Sequence, residues 1–271
     1  MAINKTQITK KELATELGVS ISSLYYKPKR DLIDNEVKSQ IEAVLTDNPA
    51  YGHKRIALAL KLNKKRILRV MHKFNIKPYR RRRRRLVKQN DLNKPATKYT
   101  NLIENLVISK PHQVWVSDFT YIKWQNRFIY LATIIDVYSR YIVGFNISRF
   151  HNKELVIGAL EDALTNHSKP DILHSDQGSE YDSQAYSSFC EQIGIHISMS
   201  RKSSPWENGY QESFYSHFKV DLADVSRFND VAELIEEINY QIWYYNNNRI
   251  HGRIKTTPKI RLESYYKIQG T

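Results

Sequence analysis

The sequence predicts an α/β protein whose mixed five-stranded sheet is flanked by helices and preceded by all-α helix-turn-helix segments. Two observations predict this class. In the first 80 residues, apolar side chains recur at helical spacing between Gly and Asn-Pro breaks. From residue 114 onward, β-rich runs and amphipathic helices follow in the order βββαβαβα. Helices in such an order pack on the faces of a sheet.

The N-terminal third contains two predicted helix-turn-helix units. Residues 1–33 form the first, with a turn at Gly18 and a second short helix from Ser20, although an ordinary helical hairpin would show the same pattern. Residues 34–79 form the second. Its three helices are expected around 35–45, 53–61 and 64–74, with Asn63 as a cap. The inward residues of the last helix are predicted to be Ile67, Leu68, Met71 and Phe74.

Basic residues in this third are candidates for DNA contact. No acid interleaves with the bases of the 64–74 helix, so they are expected to face phosphates or bases, with a solvated charged face as the alternative. A run of six arginines follows. It is typical of a segment that follows a phosphate backbone, and a nuclear-import signal is the weaker alternative. These candidates are Lys64, Lys65, Arg66, Arg69, Lys73, Arg80, Arg81, Arg82, Arg83, Arg84 and Arg85.

The distribution of charge supports a division of labour. The 271-residue chain has 42 Lys plus Arg against 28 Asp plus Glu, a formal charge of +14. Residues 1–100 carry +17, whereas residues 101–271 carry −3. A large basic excess favours a polyanionic partner, with nucleic acid ahead of anionic lipid. We therefore expect a basic DNA-holding part and a separate core.

Several classes of protein are excluded. No apolar run approaches the roughly 20 residues that span a bilayer, and the N-terminus lacks the apolar stretch of a signal peptide. A soluble, intracellular protein with no membrane partner is expected. Cys190 is the single cysteine, so neither an internal disulfide nor a Cys-rich zinc site can form.

The second part of the chain should begin at residue 112, after a basic linker at 80–111. Three β-rich runs joined by short turns predict an antiparallel meander. Helices and short strands then alternate, and a last helix on Val231, Leu234, Ile238 and Tyr245 closes the domain. The predicted elements are strands at 114–123, 127–137, 140–148, 171–175 and 195–199 and helices at 152–166, 183–193 and 207–221.

Three acids occupy positions that this element order could bring together. Asp118 lies among apolar residues in the first strand, Asp176 ends the fourth strand, and Glu212 lies on a helix. Clustered carboxylates without cysteines match Mg²⁺ or Mn²⁺, and two such ions can promote in-line displacement at a phosphodiester. Taken singly, Asp118 could cap or pair with an arginine, Asp176 could be a turn residue, and Glu212 could be a surface charge.

The motifs around these acids resemble those of DDE transposases and retroviral integrases. They are WVSDFTY around Asp118, HSDQGSEY around Asp176 and SPWENGYQESFYSHFK around Glu212, with 35 residues between the last two acids. Lys219 follows seven residues after Glu212, as in bacterial insertion-sequence transposases encoded in two overlapping frames. A C-terminal Y-N…R-x-H…P pattern, carried by Tyr245, Asn246, Arg249, His251 and Pro258, is similar to that of their second-frame protein.

The resemblance implies an RNase H-like integrase catalytic core at 112–271 and a transposase that cuts element ends and joins the 3′-OH to DNA. It implies that Asp118, Asp176 and Glu212 are catalytic and hold two Mg²⁺ (or Mn²⁺) ions. Asn208 and Lys219 share a helical face with Glu212 and would contact DNA; Glu207 is the rival third ligand.

The implied partners are double-stranded DNA, further copies of the chain and the upstream-frame protein. The alternatives are a structure-specific nuclease with this core, which would cut without joining, and a DNA-binding regulator with an inactive core.

Overall fold

The N-terminal part of the chain is helical, as predicted. The computed structural model describes residues 9–25, 30–79, 98–201 and 208–270. Thr9 and Glu12 form a capping box that starts the first helix, and Asn63 caps the fifth by accepting a hydrogen bond from the Lys65 amide. The five helices are α1 (Lys10–Glu16), α2 (Ile21–Tyr25), α3 (Arg30–Asp47), α4 (His53–Ala59) and α5 (Lys64–Lys73).

The inward face of α5 differs from the prediction at two positions, Leu68 and Val70. Ile67, Val70 and Met71 are buried against α3 and α4, whereas Leu68 is exposed. Burial therefore follows the i, i+3, i+4 stripe that begins at Ile67, and Leu68 falls one position outside it. The remaining side chains of this small core are Val37, Ile41, Tyr51, Ile56 and Ala57.

Two of the five α5 candidates for DNA contact are paired with acids of another helix, although no acid interleaves with them in the sequence. Arg69 donates two hydrogen bonds to the buried carboxylate of Asp34, at 2.5 and 2.6 Å. Lys73 donates to Asp31 and Asp34. The acids lie on α3, more than 30 residues away in sequence, and helix packing brings them to α5. These ion pairs hold the pKa of Asp34 well below its ordinary value.

The core contains one mixed sheet in the spatial order β3-β2-β1-β4-β5. The first three strands form the predicted antiparallel meander, and β4 and β5 continue parallel to β1. Short boundary differences apart, every predicted strand is present. The strands are β1 (Val114–Trp124), β2 (Arg127–Asp136), β3 (Ile142–Ser148), β4 (Ile172–Ser175) and β5 (His196–Met199).

Helices cover both faces of the sheet. One face packs on α8 and α9, through side chains such as Val116, Phe214 and Ile238; the other packs on α6 and α7. Gly144 of β3 lies against α6 so closely that an added Cβ would be 2.5 Å from the Ala159 carbonyl oxygen. The helices are α6 (Lys153–Asn166), α7 (Gln184–Gln192), α8 (Gly209–Asp221) and α9 (Val231–Asn247).

Two segments depart from the predicted organisation. A further helix, α10 (Pro258–Gln269), follows α9 where the sequence pattern predicts none, with Thr257 as its cap and Pro258 at its start. Residues 98–111 belong to the predicted linker but pack on the core: Ile103 and Ile108 contact one hydrophobic cluster, and the Leu102 amide donates to Ser198.

The helical part contacts the core through its 48–55 segment. Asn48 donates a 2.7 Å hydrogen bond to the Tyr244 hydroxyl, and the Tyr51 hydroxyl accepts from the Ile250 amide at 2.6 Å. Arg55 lies 3.3 Å from His217 Nε2. These contacts place α4 beside α8 and the end of α9. Across the described ranges, no helix is long and apolar enough to cross a membrane.

Candidate active site

Asp118 lies near the middle of β1, opposite Thr133 of β2. Its carboxylate accepts a 2.8 Å hydrogen bond from the Phe119 amide, and its carbonyl oxygen accepts one of 2.7 Å from the Tyr215 hydroxyl. Burial and the nearby charge of Asp176 raise the pKa of Asp118 to about 7, against the opposing effect of Lys219. Asp118 therefore carries a carboxylate that a nearby cation would stabilise.

Asp176 adjoins Asp118 because of the parallel pairing of β1 with β4. Val116 pairs with His174, and each acid comes two residues further along its own chain segment. The Asp176 carboxylate accepts a 2.9 Å hydrogen bond from the Gly178 amide. Burial raises its pKa, and the charge of Glu180 adds to that effect. Two neighbouring carboxyl groups with raised pKa values form the centre of the candidate site.

Glu180 lies beside the Asp118–Asp176 pair, and its charge acts on Asp176. It is buried, and its carboxylate is 3.0 Å from His151 Nδ1 and accepts from the Ser179 hydroxyl. A Cβ added to Gly178 would be 3.1 Å from both the Asp176 and the Glu180 carboxylates, so glycine allows the close turn between them. Asp136, by contrast, has a structural role, since it accepts hydrogen bonds from Ser139 and from the His112 amide.

Helix α8 is fixed to the sheet by two buried polar side chains that the sequence motifs do not single out. Gln211 donates to the Val116 and Thr133 carbonyl oxygens at 2.7 and 2.9 Å and accepts from the Thr133 hydroxyl. Tyr215, one turn later, donates to Asp118. Polar residues on the buried Gln211-Phe214-Tyr215-Phe218 stripe are the available signal. This attachment sets the position of α8 beside Asp118.

Glu212 follows Gln211 and is exposed on α8. In the part of the chain that the structure describes, no set of three His, Cys, Asp or Glu side chains is gathered closely enough to hold a metal ion. The structure thus brings Asp118 and Asp176 together, and Glu212 as the third ligand stays a prediction. The chemistry of the donors fits Mg²⁺ or Mn²⁺, because the two adjoining carboxylates supply only oxygen and the charge of Asp176 destabilises that of Asp118.

The remaining candidates for DNA contact, Lys219 and Asn208, differ in their contacts and in their burial. Lys219 lies over the Tyr121 ring at 4.8 Å and acts electrostatically on Asp118. Asn208 is buried and donates to the Ser117 carbonyl oxygen, so the expected common face of Asn208, Glu212 and Lys219 is wrong for its first member. Asn208 immediately precedes α8 and contacts β1 there.

On α5, Lys64 and Lys65 are exposed and Arg66 is half-buried. The six arginines 80–85, together with Trp206 and the rival ligand Glu207, lie outside the described residues.

The strand order, the helices on both faces and the paired acids on β1 and after β4 define an RNase H-like core. Two family models, both described as integrase core domain, match residues 108–205 and 193–258. A subunit in the cryo-EM structure of the simian T-cell lymphotropic virus intasome with the PP2A regulatory subunit B56 gamma has the same fold. It is 17% identical with a TM-score of 0.50, over 77% of this chain and 69% of that one.

Sequence relatives identify the family. The transposase for insertion sequence element IS904 from Lactococcus lactis is 33% identical over 89% of this chain and 99% of that protein. An uncharacterized 31 kDa protein of insertion element IS600 from Shigella sonnei is 32% identical over 93% and 97%. The chain belongs to the insertion-sequence transposases with an integrase core, and it is a DNA transposase.

Proposed function

We propose that the chain cleaves the ends of an insertion sequence and joins the freed 3′-OH to DNA, with Asp118, Asp176 and Glu212 as its catalytic residues. The observation that carries this proposal is the adjoining pair of acids on β1 and after β4, whose pKa values are both raised. Such a pair is stabilised by binding a divalent cation, and raised carboxyl pKa values are concentrated at functional sites.

The three acids would hold two Mg²⁺ or Mn²⁺ ions. When bound, two such ions activate the attacking oxygen and stabilise the leaving oxygen of an in-line displacement. The attacking oxygen belongs to water in end cleavage and to the 3′-OH in strand transfer. Tyr215 fixes the backbone of Asp118, and Gly178 orients the Asp176 carboxylate. Lys219, close enough to act on Asp118, would contact a phosphate beside the scissile bond.

Double-stranded DNA is the proposed partner, at both the element ends and the target. Exposed Lys64 and Lys65 and half-buried Arg66 on α5 support a phosphate-contacting surface, to which the six arginines 80–85 would add. Since two element ends must be joined, we propose that the chain acts as a dimer or higher oligomer on DNA, together with the upstream-frame protein. It would act in the cytoplasm, at the nucleoid.

Single substitutions of the three acids test the proposal. Asp118→Asn, Asp176→Asn and Glu212→Gln should each abolish metal-dependent cleavage of an element-end duplex, because each removes a cation ligand while keeping side-chain size. Duplex binding in EDTA should remain. Asp182→Asn is the matched control, since Asp182 is a nearby exposed acid paired with Lys98. Cleavage by any of the three variants at the control's rate would contradict the assignment of that acid.

A further inference from the structure

A second basic site lies between α8, the segment that follows α9, and α4. It is a cleft of about 660 Å³. Among the described residues, five guanidinium groups and one acid, Glu104, line it. The five are Arg55, Arg140, Arg201, Arg249 and Arg253. They come from four separate parts of the sequence, so the cleft is a product of the tertiary fold.

Acids neutralise only part of this charge. Arg201 forms an ion pair with Glu104, and Arg249 forms one with Asp221. Within the described ranges, Arg55, Arg140 and Arg253 have no ion-pair partner. Arg55 instead contacts His217, and Arg140 stacks over the Tyr210 ring at 4.2 Å. Three of the five guanidinium groups are therefore outside the ion pairs of the described residues.

Two of the arginines also have donor groups that nothing in the described chain satisfies. Arg140 is 7% exposed and Arg249 is 3% exposed. The Nε of Arg140 and one Nη of Arg249 are buried without a hydrogen-bond partner. A buried donor left unpaired is costly, and guanidinium donors match the oxygens of phosphate in a bidentate geometry. An oxyanion is the kind of ligand that matches the charge and the donor chemistry of these two cleft-lining arginines.

The electrostatics of the surrounding groups favour an anion as well. Burial and neighbouring arginines lower the pKa values of His217 and His251 to about 4, so both rings are neutral at pH 7 in a strongly positive environment. Burial and Arg249 also lower the pKa of Arg55. The first residue of α8, Gly209, lines the cleft, and the N-terminus of a helix adds a partial positive charge.

This cleft is separate from the acid pair. Tyr210, Ser213 and His217 line it, and their spacing of three and four residues defines one face of α8. Gln211 and Tyr215 attach another face of α8 to β1 and Asp118. The helix therefore lies between the two sites.

We propose that this arginine cleft binds a phosphate group, either of a DNA backbone or of a free phosphate compound. Its volume falls within the range of sites for small ligands, roughly 300–1,000 Å³. The inference goes beyond the carboxylate chemistry, since phosphate can bind here whether or not the three acids catalyse transfer. The C-terminal R-x-H motif, Arg249 to His251, is then part of a phosphate site rather than of the catalytic centre.

Pyrophosphate binding by the full chain in EDTA is the first test. Pyrophosphate should raise the melting temperature of the wild type more than sodium chloride at equal ionic strength. Arg140→Gln and Arg253→Gln should each weaken its apparent affinity at least tenfold, because each removes a charge-assisted hydrogen bond. Arg253 is exposed, so its variant keeps the fold even if Arg140→Gln does not. Arg127→Gln, an exposed arginine outside the cleft, should bind as the wild type does.

Titration with duplex DNA distinguishes a DNA backbone phosphate from a free phosphate compound as the ligand. In fluorescence anisotropy titrations without metal, the slope of log affinity against log salt should fall by about 0.9 for each DNA phosphate that a variant no longer neutralises. A smaller slope for Arg253→Gln supports a DNA phosphate in the cleft. An unchanged slope together with weakened pyrophosphate binding supports a free phosphate compound. If Arg253→Gln binds pyrophosphate as Arg127→Gln does and also keeps the wild-type salt slope, the proposal is overturned. EDTA and intact acids keep these outcomes independent of the catalytic proposal.

Discussion

The attachment of α8 to the sheet depends on Gln211, and replacing this residue tests how the helix is positioned. Gln211 is fully buried. Its amide group makes three hydrogen bonds, two to the carbonyl oxygens of Val116 and Thr133 and one from the Thr133 hydroxyl. Gln211→Met keeps the length and approximate volume of the side chain but removes all three. The next residue is Glu212, so the same change should affect the candidate site.

The expected cost follows from the number of hydrogen bonds that the substitution removes. A buried hydrogen bond contributes a net of about 1 kcal/mol, and an acceptor left unpaired costs about 1–3 kcal/mol. Gln211→Met should therefore lower the free energy of unfolding by about 3 kcal/mol. For a domain of 150–250 residues this corresponds to a fall in melting temperature of about 6–12 °C.

Thermal unfolding followed by circular dichroism measures this effect, with urea unfolding as a second measurement. Gln184→Met is the matched control, because Gln184 is an exposed glutamine on α7 and its replacement should cost less than about 0.5 kcal/mol. Metal-dependent cleavage by Gln211→Met, assayed well below its melting temperature, should also decrease. A destabilisation equal to that of the control would refute the attachment of α8 through Gln211.

Three further predictions concern the packing and the ionisable groups. Gly144→Ala should lower the melting temperature sharply or prevent folding, because its Cβ would be 2.5 Å from the Ala159 carbonyl oxygen; soluble protein with a wild-type melting curve would contradict that close approach. The pKa of His217 is lowered to about 4, chiefly by burial, so the unfolded chain binds more protons as pH falls from about 6.5 to 4 and stability decreases over that range. His217→Gln should therefore reduce the acid-induced destabilisation by about 1–3 kcal/mol in melting experiments between pH 7 and 4.5, and identical profiles would argue against a buried neutral ring. Asp34→Asn should lower the melting temperature at pH 7 more than Asp31→Asn, which alters an exposed acid; equal effects would show that the buried ion pairs of Asp34 do not stabilise the helical part.

Local pattern predicts most of the fold. The alternating residues of β1 and β2, the turn between them and the apolar stripe of α9 are sufficient to place these elements within a few residues. For α10, a local signal is present in Thr257 before Pro258, a cap followed by a helix-starting proline, but no apolar stripe supports it. Leu68 is wrongly predicted in the core of α5 because neighbouring apolar residues can be assigned to either edge of a helical stripe, and packing selects Val70.

The part of the candidate active site that depends on strand order can be predicted from the sequence. A parallel β1–β4 pair places Asp118 and Asp176 side by side, as the element order implies. Contacts between distant segments are not predictable from spacing. The Asp34–Arg69 pair depends on how α3 and α5 pack, and the buried setting of Asn208 depends on how α8 meets β1. The arginine cleft likewise combines side chains that are up to 198 residues apart, Arg55 and Arg253.

Strand transfer of a pre-cut element end is the most direct test of the central claim, that Asp118, Asp176 and Glu212 form one centre for joining DNA. The wild type, incubated with the upstream-frame protein, Mg²⁺ or Mn²⁺, a labelled pre-cut end and a target plasmid, should produce covalently joined product. Asp118→Asn, Asp176→Asn and Glu212→Gln should each produce none, while Asp182→Asn joins as the wild type does. Joined product from any of the three variants, or cleavage without joining by the wild type, would contradict the claim.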